Sequence, residues 1–143
     1  MLNLKALLLK LVQHYNNIGS NDVFQTGTYT ATLASSTSAS TIGTVTNIPA
    51  GTWLCSGYIN WPAKAGGFRA VELGYTKSGG SVTNAPVSLV CIPSVSATYS
   101  VLIQCSCAIE SDTTWSLHVR GCQSSGSGMT DDISWTLKAI RIK

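Results

Sequence analysis

Histidine most often carries proton transfer near neutral pH, so the two histidines are the natural place to look for catalysis. His14 lies in a leucine-rich N-terminal segment. His118 lies in an extended segment, on the opposite side from its apolar neighbours Leu117 and Val119. No serine, cysteine or carboxylate is spaced to complete a nucleophile–histidine–acid set, and no phosphate-binding glycine loop is present. The sequence therefore predicts that the protein is not an enzyme.

Metal-ligating residue types are present, but their spacing is not that of a metal site. Asp131 and Asp132 are adjacent, and neighbouring side chains of an extended chain point apart, which favours a solvated loop end over a calcium ligand pair. A zinc site would need residues that form no Cys-x-x-Cys pair: Cys105, Cys107, Cys122 and His118. We therefore expect no metal and no cofactor.

The five cysteines and the charge balance narrow the class of protein further. Most of the cysteines lie in apolar runs, which is typical of buried free thiols in a protein that folds in a reducing cytoplasm. The net charge of +3 comes from scattered lysines and arginines, which argues against nucleic acid as a partner. Charged residues make up only 10% of the chain, a share that favours a surface partly covered by copies of itself.

The stretch Tyr99–Ile109 has apolar residues at every odd position, which predicts a strand with one buried face. Similar stretches, separated by turn signals, recur along the chain. The eight predicted strands are Gly27–Ala34, Thr41–Asn47, Thr52–Trp61, Phe68–Thr76, Val82–Ile92 (interrupted by Pro86), Tyr99–Ile109, Thr114–Cys122 and Ile133–Lys143. Eight strands of this size fit an all-β, antiparallel jelly-roll sandwich over residues 27–143.

Residues 1–20 have a different period and predict a helix, joined to the strands by a linker over residues 21–26. Apolar residues follow a 3,4 heptad spacing at Leu4, Leu8, Leu11, Tyr15 and Ile18. We interpret this segment as a short coiled-coil stem for oligomerisation, because an isolated helix of this length is only marginally stable. The alternatives are a stem that docks on a larger assembly, a membrane-surface helix or a secretory signal. No segment is long enough to span a bilayer.

Three segments resemble known β-structured heads. Residues 48–61 (IPAGTWLCSGYINW) and 98–121 (TYSVLIQCSCAIESDTTWSLHVRG) are similar to the tumour-necrosis-factor and complement globular-head jelly rolls. The final segment, residues 133–143 (ISWTLKAIRIK), resembles the closing strand of phage fibre tips. A heptad stem followed by such a head is similar to phage fibre and receptor-binding proteins. This resemblance implies a homotrimer located in a virion fibre and made in the host cytoplasm.

If successive strands alternate in direction, four loops lie at the end far from the stem, where binding residues are commonly displayed. We expect this tip to bind a host-surface glycan or protein. The candidate receptor-binding residues are Trp61, Lys64, Arg69, Gln123 and Asp131. Three copies would add avidity to weak contacts.

The outward side of the strand Tyr99–Ile109 is uncharged, which suits an interface between subunits. The candidate trimer-interface residues are Leu102, Gln104, Ser106 and Ala108. The sequence thus favours a trimeric virion head that attaches to a host cell, with other virion proteins held through the helix. The alternatives are a capsid or tail decoration or fibre connector without receptor binding and, more remotely, a secreted signalling ligand of the necrosis-factor kind.

Overall fold

The computed structural model describes residues 4–20, 22–64, 67–77, 80–84, 90–92 and 99–142. The side chains of residues 13–20, 83–84 and 91–92 are outside this description. One helix precedes nine strands: α1 Leu4–Ser20, β1 Val23–Tyr29, β2 Ser36–Ile48, β3 Gly51–Trp61, β4 Arg69–Lys77, β5 Thr83–Asn84, β6 Val90–Ile92, β7 Val101–Ser111, β8 Trp115–Gln123 and β9 Ile133–Arg141.

The strands form two antiparallel sheets. The first, sheet 1, has the order β1-β9-β3-β7. The second, sheet 2, has the order β2-β8-β4-β5, with β6 also pairing with β4. Except between β4, β5 and β6, consecutive strands belong to different sheets, so the chain crosses repeatedly from one sheet to the other. The inward side chains of both sheets share one hydrophobic core.

The all-β class and the N-terminal helix agree with the sequence prediction, and each predicted strand has a counterpart. The predicted strand Val82–Ile92 corresponds to two short strands, β5 and β6, and Pro86 lies between them, outside the described residues. β1 begins at Val23, so most of the predicted linker 21–26 belongs to a strand. Its residues pair in register with β9, from Val23 opposite Ala139 to Tyr29 opposite Ile133.

Two tryptophans tie the sheets together at the end where α1 enters. Trp53 of β3 and Trp115 of β8 are fully buried, with ring centroids 6.5 Å apart in an edge-to-face arrangement. Both indole N–H groups donate to the carbonyl oxygen of Pro49, each over 3.1 Å. The guanidinium of Arg141 lies 5.9 Å from the Trp53 ring centroid. Buried indole N–H groups need acceptors, and here one turn carbonyl serves both.

A third tryptophan, Trp135, explains two glycines on neighbouring strands. A Cβ atom at Gly27 of β1 would lie 2.5 Å from the Trp135 ring, and one at Gly43 of β2 would lie 2.2 Å from it. Both distances are below any real Cβ contact, so the ring occupies the space that two side chains would otherwise fill. Trp135 therefore closes the side of the sandwich where β1 and β2 meet.

The helix α1 presents its apolar side chains to solvent in the single chain. Leu4 is 76% exposed, Leu8 60% and Leu11 65%. Tyr15 and Ile18, the other two heptad positions, have side chains outside the described set. Within the described residues, no helix combines the length and hydropathy that a bilayer crossing requires. The leucines at three successive heptad positions therefore form an apolar stripe that the described residues do not cover.

Candidate functional site

The strand registers bring four connections to one end of the molecule. In sheet 1, the pairs Tyr29–Ile133 and Trp61–Val101 lie at this end, and in sheet 2 the pair Arg69–Gln123 does. The strand ends that border the connections between β1 and β2, β3 and β4, β6 and β7, and β8 and β9 therefore lie at the same end, and β1 begins at the opposite end. We call this end the tip.

Arg69 is the first residue of β4 and is fully buried beneath the tip. Its Nη1 donates to the carbonyl of Phe68 over 3.0 Å, and its Nη2 donates to the carbonyl of Lys64 over 3.1 Å. Lys64 in turn donates from Nζ to the carbonyl of Gly128 over 2.8 Å. Arg69 thus holds the β3–β4 connection, and Lys64 fastens this connection to the one between β8 and β9.

Gln123 ends β8 and is also fully buried. Its Nε2 donates to the carbonyls of Leu33 and Ser127, each over 3.0 Å. Its Oε1 accepts hydrogen bonds from the backbone N–H and the hydroxyl of Ser125, at 2.8 and 2.6 Å. One amide therefore satisfies backbone groups in two separate connections, which is the usual reason to bury a glutamine.

The third candidate, Trp61, lies at the end of β3 and is 0% exposed. Its ring packs against Gly121 of β8, where an added Cβ would lie 2.9 Å from the ring. The Trp61 indole N–H has no acceptor among the described residues. Trp61 is therefore part of the packing under the tip and is not available for stacking on a ligand.

The structure brings the five sequence-predicted receptor-binding residues to the tip but gives them different roles. Burial of Trp61, Arg69 and Gln123 corrects the view of them as contact residues, because a receptor cannot reach them. Strand parity carried this signal, since Arg69 has the parity of the inward Val71. Lys64 is half-buried and Asp131 is exposed. Further exposed tip residues were not among the candidates: Thr30, Ala31, Thr32, Ala34, Ser35, Ala63, Tyr99, Ser100, Gly126, Ser127, Thr130 and Asp132.

The outer face of sheet 1 is a second candidate surface, and it has few charges. Leu102, Gln104, Ser106 and Ala108 all point outward from β7 and are exposed, as the alternation predicted. Tyr99, expected on the buried side, precedes β7 and is 70% exposed. Across the sheet, further exposed or half-exposed side chains continue this face: Phe24, Leu54, Tyr58, Ile140, Glu110 and Lys138.

The outward residues form cross-strand rows. Leu54 of β3 lies between Ile140 of β9 and Ala108 of β7, which makes an apolar row near the end where α1 enters. Leu54 is 48% exposed and Leu102 is 63% exposed. Toward the tip, a cavity of about 340 Å³ is lined by Tyr58, Asn60, Leu102, Ser134, Trp135 and Thr136. The face therefore combines an apolar end with an uncharged polar end.

The outer face of sheet 2 is polar, and its side chains bind one another. His118 is 8% exposed, with Nδ1 at 2.9 Å from the Thr44 hydroxyl and Nε2 at 2.7 Å from the Thr76 hydroxyl. Burial, and secondly the charge of Arg120, lower the pKa of His118 below its ordinary value. Arg120 pairs with the carboxylate of Glu72 and donates to the carbonyl of Ala39 over 2.7 Å. On this face the His118 ring therefore links β8 to both neighbouring strands, β2 and β4.

The described thiols are buried or half-buried. Cys55 and Cys105 are buried, and burial raises the pKa of each to about 12, with a smaller contribution from Cys107. Burial also raises the pKa of Cys107. Cys122 is buried too, and no group of three or more histidine, cysteine or acidic residues within the described part of the chain could hold a metal ion. Thiols held in the protonated form are poor nucleophiles and poor metal ligands.

Comparisons with known proteins point to the fold alone. No protein-family model matches the chain, and no curated protein sequence matches it. The globular domain of zebrafish complement 1qA protein has a TM-score of 0.57 at 9% identity, over 86% of this chain and 97% of that one. PRD1 vertex protein P5 has a TM-score of 0.51 at 13% identity, over 86% and 98%.

A structure of infectious bursal disease virus (Gx strain) has a TM-score of 0.52 at 16% identity, over 84% of this chain. This chain spans about a third (32%) of the length of that viral chain. The described fold is therefore shared by complement globular heads and by proteins of virus particles.

Proposed function

We propose that this chain is the head of a virion-associated homotrimer: a jelly-roll knob on a helical stem that attaches the particle to a host-cell surface. The order of the strands in the two sheets and the fold likeness to a complement head and a phage vertex protein support the jelly-roll assignment. The observation that carries the trimer is the outer face of sheet 1. On it, only Glu110 and Lys138 carry charge among the described outward residues.

The outer face of sheet 1 exposes apolar side chains and carries few charges, so its burial against another copy of the chain would be favourable. Leucine and phenylalanine side chains that are half exposed or more on one face of a sheet indicate an interaction surface. Phe24 is 67% exposed on the same face as Leu54 and Leu102. In the proposed trimer, Leu102, Gln104, Ser106 and Ala108 lie in the subunit interface, and Leu54 and Ile140 extend it across the sheet.

The stem contributes a second set of contacts. Leu4, Leu8, Leu11, Tyr15 and Ile18 would form the seam of a parallel bundle. The exposed fractions of the first three support this assignment, because together they form an exposed apolar stripe along one side of the helix. The same helix, which carries Lys5 and Lys10 outside the heptad positions, would join the head to other virion proteins.

Host attachment is assigned to the tip. The buried Arg69, Gln123 and Trp61 position the tip connections, and Lys64 and Asp131 remain as candidate contacts together with the exposed threonines around them. The exposed residues are small and hydroxyl-rich, which suits hydrogen bonding to a glycan or to a polar protein surface. Repetition of weak contacts in three copies would provide avidity.

A matched pair of variants tests the tip. The tip variant combines Thr32→Ala, Thr130→Ala and Asp131→Ala. The control has the same residue types at the opposite end: Thr46→Ala, Thr113→Ala and Asp112→Ala. With the labelled full-length chain on a panel of bacterial cells, we expect the tip variant to lose binding and the control to keep it. Equal binding by the tip variant and the unmodified chain would overturn the attachment assignment.

A capsid or tail decoration without receptor binding is the alternative, and the hydrogen bonds of the tip favour it. Arg69, Lys64 and Gln123 all donate to backbone carbonyls of the tip itself, so each of these side chains has a role in holding the fold. A structural protein would bind no cells in either variant. Deletion of residues 1–20 would then abolish its incorporation into particles, whereas an adhesin head would still bind cells.

A further inference from the structure

The free edge of β7 is unusual among the edges of this fold. Among the described residues, β7 has 11 residues, pairs with β3 along its whole length and forms one end of sheet 1. Natural proteins protect such edges with short strands, prolines, lysines or bulges. From Val101 to Ile109 this strand has no proline, no charged residue and no break in its register with β3.

The other strand edges of the two sheets are irregular, partly covered or shorter. β2, at one end of sheet 2, has three shifts in its register with β8. The outer edge of β4 is partly covered by β5 and β6. β1, at the other end of sheet 1, has seven residues. β7 is therefore a long, straight edge that carries no charge from Val101 to Ile109 and could accept a partner strand.

The direction of the β7 backbone groups follows from one hydrogen bond. The N–H of Ile142 donates to the carbonyl of Thr52 over 2.9 Å, so the even-numbered residues of β3 bond toward β9. In an antiparallel strand this orientation alternates, so the odd residues of β3 bond toward β7, and their partners in β7 are also odd. The backbone groups of the even residues of β7, Leu102 to Glu110, consequently point away from β3.

The same reasoning applies at the opposite edge of sheet 1. The even residues of β9 bond toward β3, so its odd residues bond toward β1, where they pair with odd residues. The free backbone groups of β1 are therefore those of Phe24, Thr26 and Thr28. At both edges, the residues with free backbone groups are the ones whose side chains lie on the outer face of sheet 1.

We infer that β7 of one protomer pairs with β1 of the next copy, so that their sheets join edge to edge around the trimer. β1 is antiparallel to β9, β9 to β3 and β3 to β7, so β1 and β7 run in opposite directions. Copies related by an axis along the strands keep their directions, which makes the new pair antiparallel. Even residues then face even residues, and the outer face stays continuous across the join.

The two edges also complement each other on the inner side. Val101 and Cys107 of β7 are half-buried apolar residues at the margin of the core, and so are Val23 and Tyr29 of β1. Joining the edges would cover both margins at once. The contact uses two different edges, so it closes a ring by rotation instead of pairing a surface with itself. This inference rests on the proposed trimer and names the strands that join it.

Proline at an outward N–H position gives a selective test. The N–H groups of Ser106 in β7 and Thr26 in β1 point to the free edges, so Ser106→Pro and Thr26→Pro leave the pairing with β3 and β9 intact. Each proline removes one donor and places its ring against the incoming strand. Ser106→Ala and Thr26→Ala are the matched controls, because they keep the N–H.

The mass of the full-length chain would be measured by light scattering over a dilution series, with thermal unfolding to check the fold. We expect each proline variant to raise the trimer dissociation constant by about tenfold or more, and the alanine variants to behave as the unmodified chain. A trimer that neither proline weakens would overturn the strand pairing while the proposed trimer stands. An effect of Ser106→Pro alone would overturn the pairing with β1. A monomeric unmodified chain would refute the trimer itself.

Discussion

The outer faces of the two sheets differ in how their side chains are satisfied. On sheet 2, His118 lies between two threonine hydroxyls and Arg120 is paired with Glu72, so the polar groups have partners within the chain. On sheet 1, Leu54 and Leu102 are about half exposed or more and make an apolar, nearly uncharged surface. An all-β surface rich in threonine is therefore not uniform: the polar groups of one face are bonded within the single chain, and the other face exposes apolar side chains.

The largest effect is expected from a charge in the apolar row of sheet 1. Leu54→Asp would place a carboxylate between Ile140 and Ala108, where burial against another copy would leave it unpaired. We expect the dissociation constant of the oligomer to rise at least about tenfold, measured by sedimentation velocity. The matched control is Thr46→Asp, which adds the same charge at an exposed position of β2. Equal effects of the two changes would remove the distinction between the faces.

The next largest effect concerns the ion pair of sheet 2. Arg120 and Glu72 have side chains only 19% and 13% exposed, so Arg120→Met leaves a carboxylate that is poorly hydrated. We expect a loss of about 2 kcal/mol in the free energy of unfolding, measured in urea, with no change in oligomeric state.

Lys77→Met is the comparison for this prediction, because it breaks the pair with the exposed Asp112. Exposed pairs contribute little to stability, so this change should leave the urea midpoint unaltered. A larger loss from Lys77→Met than from Arg120→Met would contradict the view that the second face owes its order to buried polar contacts.

The smallest effect is a pH dependence located on sheet 2. The pKa of His118 is lowered in the folded state, so the folded chain binds fewer protons than the unfolded chain in mildly acidic solution. Stability should therefore be fully present above the ordinary histidine pKa of about 6.5 and fall as the pH drops below it. Thermal unfolding between pH 7.5 and 5 checks this slope. His118→Gln should flatten the slope in this range, and an unchanged slope would exclude His118 as its source.

Strand period made most of the fold predictable from the sequence. Alternation in the segment Tyr99–Ile109 identified β7 and its two faces. The start of β1 was missed because Val23–Thr26 has no clean alternation of apolar and polar residues. The boundary of β2 was missed because the serines and threonines from Ser36 onward have the composition of a loop.

The candidate site was less predictable, because residue type was given more weight than position. Arg69 and Gln123 have side chains that usually lie at the surface, and their burial depends on backbone carbonyls from connections distant in sequence. Strand parity could have placed them inside, but their hydrogen-bond partners could not be read from the chain. The edge pairing proposed for β1 and β7 depends on hydrogen-bond direction, which only coordinates supply.

The shared acceptor at Pro49 has a consequence for engineering. Because two indoles from different sheets bond to this single carbonyl, the turn between β2 and β3 sets the spacing of the sandwich at that end. An inserted residue there would move the carbonyl from both rings at once. The turn between β2 and β3 is therefore a poor place for an insertion.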